Sequence, residues 1–509
     1  MENRLNTPTE TSEQREQWHA KQTAGSSYVG VFVGVVAALL SVRLASLHLS
    51  KEEFGLWGVL FQLFGYFSLL ELGVVSAMGR VFVEPLTKRS ESEASRWIAT
   101  TAMIVNVQGV VIFFVGVCMT KSIFSFIHIP AQMLSEAQAL WIGVLLIHLL
   151  QTPGKPYIGV LHASNRVVYV NAIGILVQIL MVGLFWIFLT LGYRTSSYVW
   201  SYGLAGVTGS ILYWVAARRN APILFSLHPR HFEFGKLKKL LSFSMGLFAL
   251  NASVQITVAG QGLLIARFLS LAEVAAFSVT GRMAAHLAVL FQKTIEAYLP
   301  KWSLEWSGGS RAQASDGFRR VYTGLIHMMP LLILWTVLVN PWFVQWWTGV
   351  DYYSGNPTNI ALGLSAIFLI VNRAMQIMLL IKMSVKKMAL ITGAGAIMEI
   401  LLYFLLIPRM GVLGVPTASC LANILWTTPW MVRHALDGWG IQALFMHLKL
   451  AGALIASLMI AYFVGGYIGQ TDGKPLQQFA TAFAVGLIFS AVLCFRLWVL
   501  NKTQKAAGE

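Results

Sequence analysis

Residues 24–46 read AGSSYVGVFVGVVAALLSVRLAS, and after a short polar link residues 54–78 read FGLWGVLFQLFGYFSLLELGVVSAM. A bilayer core is crossed by roughly 20 consecutive apolar residues in an α-helix, so each stretch is long enough to span. Cutting the rest of the chain wherever its apolar runs are broken gives further spans at 97–119, 136–153, 168–191, 196–216, 240–265, 274–300, 321–346, 359–381, 388–407, 411–431, 448–469 and 479–500. That makes about fourteen spans, which use well over half of the 509 residues. The longest link, residues 217–239, is roughly 23 residues, far short of the ~100 or more of an ordinary soluble domain.

Composition points the same way. Hydrophobic residues make up 56% and charged residues 11%, against roughly 25% charged in soluble domains. The net charge of +16 is spread over many short loops instead of one stripe or motif, which argues against a nucleic-acid partner. With the N-terminus placed in the cytoplasm, the inner segments hold about 26 Lys and Arg and the outer loops about 6. Such alternation predicts an even number of helices with both termini cytoplasmic. Residues 1–23 read as a disordered cytoplasmic tail without a cleavable signal, and 501–509 as a second tail. Cys118, Cys420 and Cys494 all fall in apolar segments without metal-ligand spacing, so no metal or cofactor is expected.

The chain repeats itself at an offset of 220 residues. Ser50-Lys51-Glu52-Glu53 and Ser270-Leu271-Ala272-Glu273 are two S-x-x-E capping boxes that open the second and eighth spans. At the same offset Leu161–Arg166 faces Ile381–Lys386. An even number of helices per repeat makes the halves parallel. The expected architecture is therefore all-α, with two six-helix lobes (residues 24–216 and 240–434) around a central cavity. The basic linker 217–239 joins them, and two further helices (446–500) form an appendage.

Several of these segments resemble a known family. Leu49-Ser50-Lys51-Glu52-Glu53-Phe54-Gly55-Leu56-Trp57, followed by Tyr66-Phe67-Ser68-Leu69-Leu70-Glu71-Leu72-Gly73, is similar to the opening hairpin of polysaccharide exporters of the MOP superfamily, among them the O-antigen-type lipid-linked oligosaccharide flippases. Val160–Arg166 and Gly411–Ala418 resemble later loops of the same family; Glu71 stands where such proteins often carry Asp, and Pro416 departs from the pattern. The resemblance implies alternating access in a bacterial inner membrane. It implies transfer of an undecaprenyl-diphosphate-linked glycan to the outer leaflet during polysaccharide or lipopolysaccharide synthesis, with membrane lipids, a glycan polymerase and other assembly proteins as partners.

A lipid-linked sugar presents an anionic diphosphate, a polar glycan and an apolar tail, so its carrier needs cations and hydrogen-bonding groups inside the membrane. Intramembrane ionisable residues are costly and usually face a cavity or one another. On the eighth span Arg282, His286, Lys293 and Glu296 fall within roughly 80° of arc at 100° per residue. Arg282 is the candidate diphosphate ligand, His286 can add a hydrogen bond, and Lys293 with Glu296 can instead form an i,i+3 ion pair. Arg373, Asn372 and Gln376 on the tenth span, and Asn251 and Gln255 on the seventh, are further substrate candidates; for the amides, interhelical hydrogen bonding is the competing role. Arg43 can face a cavity or snorkel to the interface. Glu71 and Glu399 are expected to pair with these arginines or to carry a coupling ion. Trp342, Trp346, Trp347, Tyr352 and Tyr353 read as an interfacial belt.

Enzyme readings lack their parts: the sequence contains no G-x-x-x-x-G-K-[ST] loop, no H-E-x-x-H and no G-x-S-x-G. Two rivals stay open, a multidrug or cation exporter of the same superfamily and a membrane glycan polymerase or ligase. The charge alternation is checked by cysteine accessibility. On a cysteine-free background, cysteines at Ser122, Ser354 and Thr471 are expected to react with an impermeant thiol reagent in intact cells, and cysteines at Ser90, Ser226 and Ser310 only after lysis.

Overall fold

Fourteen long helical segments, with short helices Val74–Val81, Val83–Thr87, Lys155–Ala163 and Leu299–Ser307 between them, follow one another among the described residues of the computed structural model, which are 12–70, 74–221, 226–436, 441–470 and 474–506. They are α1 (Ser12–His48), α2 (Lys51–Leu70), α3 (Glu91–Phe126), α4 (Leu134–Gln151), α5 (Val167–Thr190), α6 (Ser196–Asn220) and α7 (Phe234–Phe268). After these come α8 (Leu271–Thr280 and Arg282–Glu296) and α9 (Arg311–Leu334, continuing through the π-helical turn Trp335–Val339 into Asn340–Trp347). The last are α10 (Asn356–Ile381), α11 (Val385–Met410), α12 (Gly414–Ala422, the π-helical turn Asn423–Thr427 and Thr428–Ala435), α13 (Ile441–Gly469) and α14 (Pro475–Ala506). Each expected span overlaps one of them, the span 54–78 also reaching the short helix Val74–Val81, and no strand occurs among the described residues. The protein is an all-α polytopic membrane protein.

Among the described residues nine helical stretches are long and apolar enough to cross a bilayer, or ten with the two bent pieces of α8 counted as one. One of the nine, Val385–Ala435, contains both α11 and α12. Helix α6 falls outside that set because Ser, Gly and Thr replace aliphatic residues along its length.

Packing divides the chain into two units that do not follow chain order: residues 1–48, 70–120 and 136–245 form one, and 49–69, 121–135 and 246–509 the other. The first unit packs the short helix Val74–Val81 and the start of α3 around Met78, Phe82, Leu86 and Ile98, together with Tyr157, Val160 and Leu161. The basic linker is anchored here. Lys236, only 7% exposed, is held by Glu93 at 2.5 Å and lies over the Trp97 ring at 4.8 Å, while the backbone N–H groups of Ser226 and Glu233 donate to Ser95 and Thr100. A buried lysine is tolerated because a carboxylate compensates it.

The second unit builds its core on α8, α9 and α10, with Trp302, Phe318, Tyr322, Met329, Ile370 and Met375 fully or almost fully buried. Helices α13 and α14 are packed onto α9. Leu338 and Val339 meet Ala461, Ile468 and Ala482, Trp335 donates to Ser490 at 3.0 Å, and Trp346 stacks on Phe479 at 5.0 Å. Helix α2 joins this unit by close approach at glycine: a Cβ on Gly55 would lie 1.8 Å from the carbonyl oxygen of Leu271. The tryptophan-rich end of α9 also departs from the expected belt. Trp347 is stacked on Phe343 at 5.0 Å and Tyr352 is packed beside Phe54, so both are buried within the protein.

Local geometry at the expected offset can be compared turn by turn. The Ser50 box closes in both directions, with Ser50 N–H donating to Glu53 at 2.7 Å and Glu53 N–H to the Ser50 hydroxyl at 3.2 Å. The Ser270 box uses the serine hydroxyl alone, at 3.2 Å from the Glu273 N–H. Two pairs of helix ends share one turn, in which a residue with positive φ is flanked by the 6→1 and 5→2 hydrogen bonds of a Schellman motif. Arg89 (φ 51°) and Gly309 (φ 90°) are 220 residues apart. Asn165 (φ 56°) and Met383 (φ 55°) are 218 apart. Turn geometry therefore corrects the register expected for that loop by two residues, since the left-handed position matching Asn165 is Met383, not Val385.

Gly55→Ala is expected to destabilise the protein by about 1–3 kcal/mol, because two backbones must separate to admit the methyl group. Gly183→Ala, where an added Cβ meets nothing within 4 Å, is expected to stabilise by up to about 1 kcal/mol through helix propensity. Thermal unfolding of the two purified variants against the parent checks both signs.

Candidate functional site

Helix α8 bends by 45° between Thr280 and Arg282. Gly281 stands at φ −76° and ψ −11°, well off helical ψ, and Arg282 opens the second piece. Asn340 from α9 receives the consequence: its fully buried amide donates to the Thr280 carbonyl at 2.8 Å and to Asn359 Oδ1 of α10 at 2.8 Å. Asn359 in turn donates to the Thr336 carbonyl at 2.6 Å, within the π-helical turn of α9. Helix interruptions inside a membrane need such partners, because lipid supplies none.

Beyond the bend the helix Arg282–Glu296 is continuous, so the expected stripe of Arg282, His286, Lys293 and Glu296 shares one side. Ala284, Ala288 and Ile295, on the opposite side, are buried in the core of the unit. Arg282, His286 and Glu296 are half-buried and Lys293 is exposed. His286 Nε2 is buried without a hydrogen-bond partner. The stripe therefore lies on the side of α8 turned away from its own core.

Glu296 ties the stripe to α10. Arg373 Nε donates to Glu296 Oε1 at 2.7 Å, with its Nη2 2.5 Å from the same oxygen, and Lys293 Nζ reaches Oε2 at 2.7 Å. Gln376 accepts from Arg373 Nη1 at 3.4 Å. The i,i+3 pair of Lys293 and Glu296 thus forms, and Arg373 joins it. One carboxylate is shared by two cations, so the cluster keeps a net positive charge.

Asn372, the neighbour of Arg373, turns to α12. Its amide donates to Asn423 Oδ1 at 2.6 Å, and Thr428 donates to its Oδ1 at 3.0 Å. Asn423 donates to the Ser419 carbonyl at 2.7 Å. Here the interhelical role of the amide is the one realised.

Glu399 differs from its expected arginine pairing. Its Oε1 accepts from Tyr403 at 2.5 Å and from Ser419, and Gln261 of α7 donates to the Tyr403 hydroxyl at 3.2 Å. Hydroxyls satisfy this carboxylate because Tyr403 lies one turn further along α11 and Ser419 faces it from α12. Sequence reading missed Tyr403, Ser419, Asn423 and Gln261. The signal for three of them was present in the i,i+4 pairs Glu399/Tyr403 and Ser419/Asn423.

Gln255 is half-buried against α2, and a Cβ on Gly65 would lie 2.1 Å from its Nε2. Arg43 belongs to the other packing unit, half-buried on α1. Glu71 and the side chain of Asn251 lie outside the described residues. Among the described residues no group of His, Cys, Asp or Glu is arranged to hold a metal ion.

This is the fold of the MOP-superfamily transporters. A lipid II flippase, MurJ, in an inward closed conformation superposes with a TM-score of 0.68 over 93% of this chain and 99% of its own at 14% identity. An inward-facing multidrug-resistance MATE transporter of the superfamily superposes at 0.60 over 82% and 94% at 16% identity. A MOP-superfamily transporter from Pyrococcus furiosus Vc1, described as having a binding pocket of reversed polarity, gives 0.58 over 86% and 96% at 14% identity. No protein-family model matches the chain, and no curated protein matches it in sequence.

The shared carboxylate predicts strong coupling. Arg373→Ala and Glu296→Ala are each expected to lower stability, and the double variant to lose less than the sum by about 1–3 kcal/mol. A double-mutant cycle read by thermal unfolding checks this.

Proposed function

We propose that this chain is a flippase that moves a polyprenyl-diphosphate-linked oligosaccharide from the cytoplasmic to the outer leaflet of a bacterial inner membrane, without ATP and without acting as an enzyme. The observation that carries this reading is the polar side of α8 with its α10 neighbour. Lys293 and Arg373 share the single carboxylate of Glu296, and Arg282 and His286 lie on the same side of the helix about 15–21 Å nearer the bend, on a surface turned from the core. An excess of cations in that position complements a diphosphate, and the planar guanidinium of Arg282 suits bidentate contact with its oxygens.

Helices α13 and α14 support the same reading. The lipid II flippase covers 93% of this chain, which leaves fewer residues unmatched than these two helices contain. The MATE transporter leaves 18% unmatched. A multidrug or cation exporter is the second reading, favoured by the MATE likenesses and by the half-buried carboxylate of Glu399, which has hydroxyl partners in place of a cation.

Purified protein in liposomes is expected to move a polyprenyl-diphosphate-linked oligosaccharide between leaflets with no nucleotide present. Strict dependence on ATP, or export of cationic dyes without lipid-linked transport, would overturn this reading. Arg282→Ala is expected to slow transport at least about tenfold at unchanged membrane abundance, since a hydrogen bond to a charged group is worth about 1.5–3 kcal/mol. Arg282→Lys should restore part of the rate, because a point charge replaces the guanidinium fork incompletely.

A further inference from the structure

A cavity of about 850 Å³ opens in the second packing unit between the end of α9, the start of α10 and α13. Pockets that hold small ligands are roughly 300–1,000 Å³, so its size is that of a site. Its upper wall carries Trp342, Gln345, Tyr353, Asn356, Tyr467 and Gln470, and its floor is Val337, Ile360 and Ala461. None of the residues lining it is charged.

The chemistry of this wall is specific. A site for a phosphate would carry Lys or Arg; here the polar groups are amides and phenols, each able to donate and accept. The Tyr353 hydroxyl donates to Asn356 Oδ1 at 2.6 Å, which leaves the Asn356 amide N–H groups directed elsewhere. The remaining surface is aromatic, with Trp342, Tyr353 and Tyr467 offering flat apolar faces beside polar tips. An uncharged pyranose presents the complement, with hydroxyls around its rim and an apolar face of C–H groups.

Glycines keep the space open. A Cβ on Gly466 would meet nothing within 4 Å, and one on Gly469 would lie 3.4 Å from the Trp342 ring, so the indole rests against bare backbone there. The cavity is also tied to the bend of α8. Ser354 N–H donates to the Thr280 hydroxyl at 2.9 Å, and that hydroxyl donates to the Tyr352 carbonyl at 3.3 Å. The loop that bears Tyr353 is thus pinned two residues before Arg282.

We infer that this cavity binds an uncharged sugar unit borne on a lipid, with the sugar against Trp342 and the amides and the chain along the apolar floor. The inference rests on the flippase reading only in making the sugar part of the transported molecule. Trp342 and Tyr353, expected as members of an interfacial belt, line this site.

The test uses the full chain in nanodiscs of phosphatidylethanolamine and phosphatidylglycerol with a photoactivatable dodecyl maltoside as probe. Saturable labelling of peptides within 337–360 and 461–470 is expected, displaced by dodecyl maltoside and at least tenfold less well by free maltose or lysophosphatidylcholine. Equal displacement by maltose would overturn the lipid-borne part, equal displacement by lysophosphatidylcholine would overturn the sugar part, and absence of saturable labelling would overturn both. Gly466→Phe fills the cavity from an open position, and Trp342→Ala removes its largest face. Each is expected to lower probe affinity at least tenfold with the melting temperature of Gly466→Phe unchanged, and wild-type labelling of a folded Gly466→Phe would sink the proposal. Labelling reads binding, not transport: its loss with nucleotide-free flipping intact overturns the site alone, and its presence without flipping overturns the flippase reading alone.

Discussion

The buried amide of Asn340 holds the second unit together where its helices are broken. Helix α8 bends at Gly281 and α9 passes through a π-helical turn at Trp335–Val339. Both irregularities release backbone groups that a bilayer cannot satisfy. Asn340 and Asn359 supply the missing partners, reaching Thr280 and Thr336 while bonding each other. The bend sets where the continuous helix Arg282–Glu296 begins, the Thr280 hydroxyl fixes the loop beside the sugar-sized cavity, and α10 is held against α9. The arrangement of cations and the shape of the cavity both depend on this node.

The charges of this unit are organised by sharing. A lone arginine in the membrane is costly, but Arg373 and Lys293 divide the two oxygens of Glu296. The cluster stays cationic, so it is held together internally and still attracts an anion. Glu399 is treated differently, with hydroxyls of Tyr403 and Ser419 in place of a counter-charge. Carboxylates on neighbouring helices thus take distinct environments.

The expected 220-residue offset is matched in turns more closely than in helices. Apolar helix faces exchange residues freely, since Leu, Ile, Val and Phe meet similar requirements in contact with lipid or a neighbouring helix. A left-handed residue closing a Schellman motif is constrained by backbone sterics and by two specific hydrogen bonds. The Arg89 and Gly309 turns coincide at the offset of the capping boxes, and the Asn165 and Met383 turns show where the register has drifted. This persistence of turns agrees with a fold shared at 14–16% identity by transporters of different cargo.

The all-α, membrane-spanning character of the chain and the placement of its long apolar helices were legible in the sequence, because bilayer thickness imposes a length and a composition on a span whatever its neighbours are. The capping box at Ser50 and the pair of Lys293 with Glu296 were legible too, since each is local, within one turn of one helix. Packing of α2 with the second unit through Gly55, the pairing of Arg373 with Glu296, the hydroxyl cage of Glu399 and the cavity beside Trp342 were not. Apart from Tyr403, one turn from Glu399, these join residues tens to hundreds of positions apart, and a helix shows only its own periodicity, with no record of which helix its polar side will meet. Partner choice came from the tertiary structure alone, where close approach at glycine and hydrogen bonds between polar groups on different helices selected one arrangement.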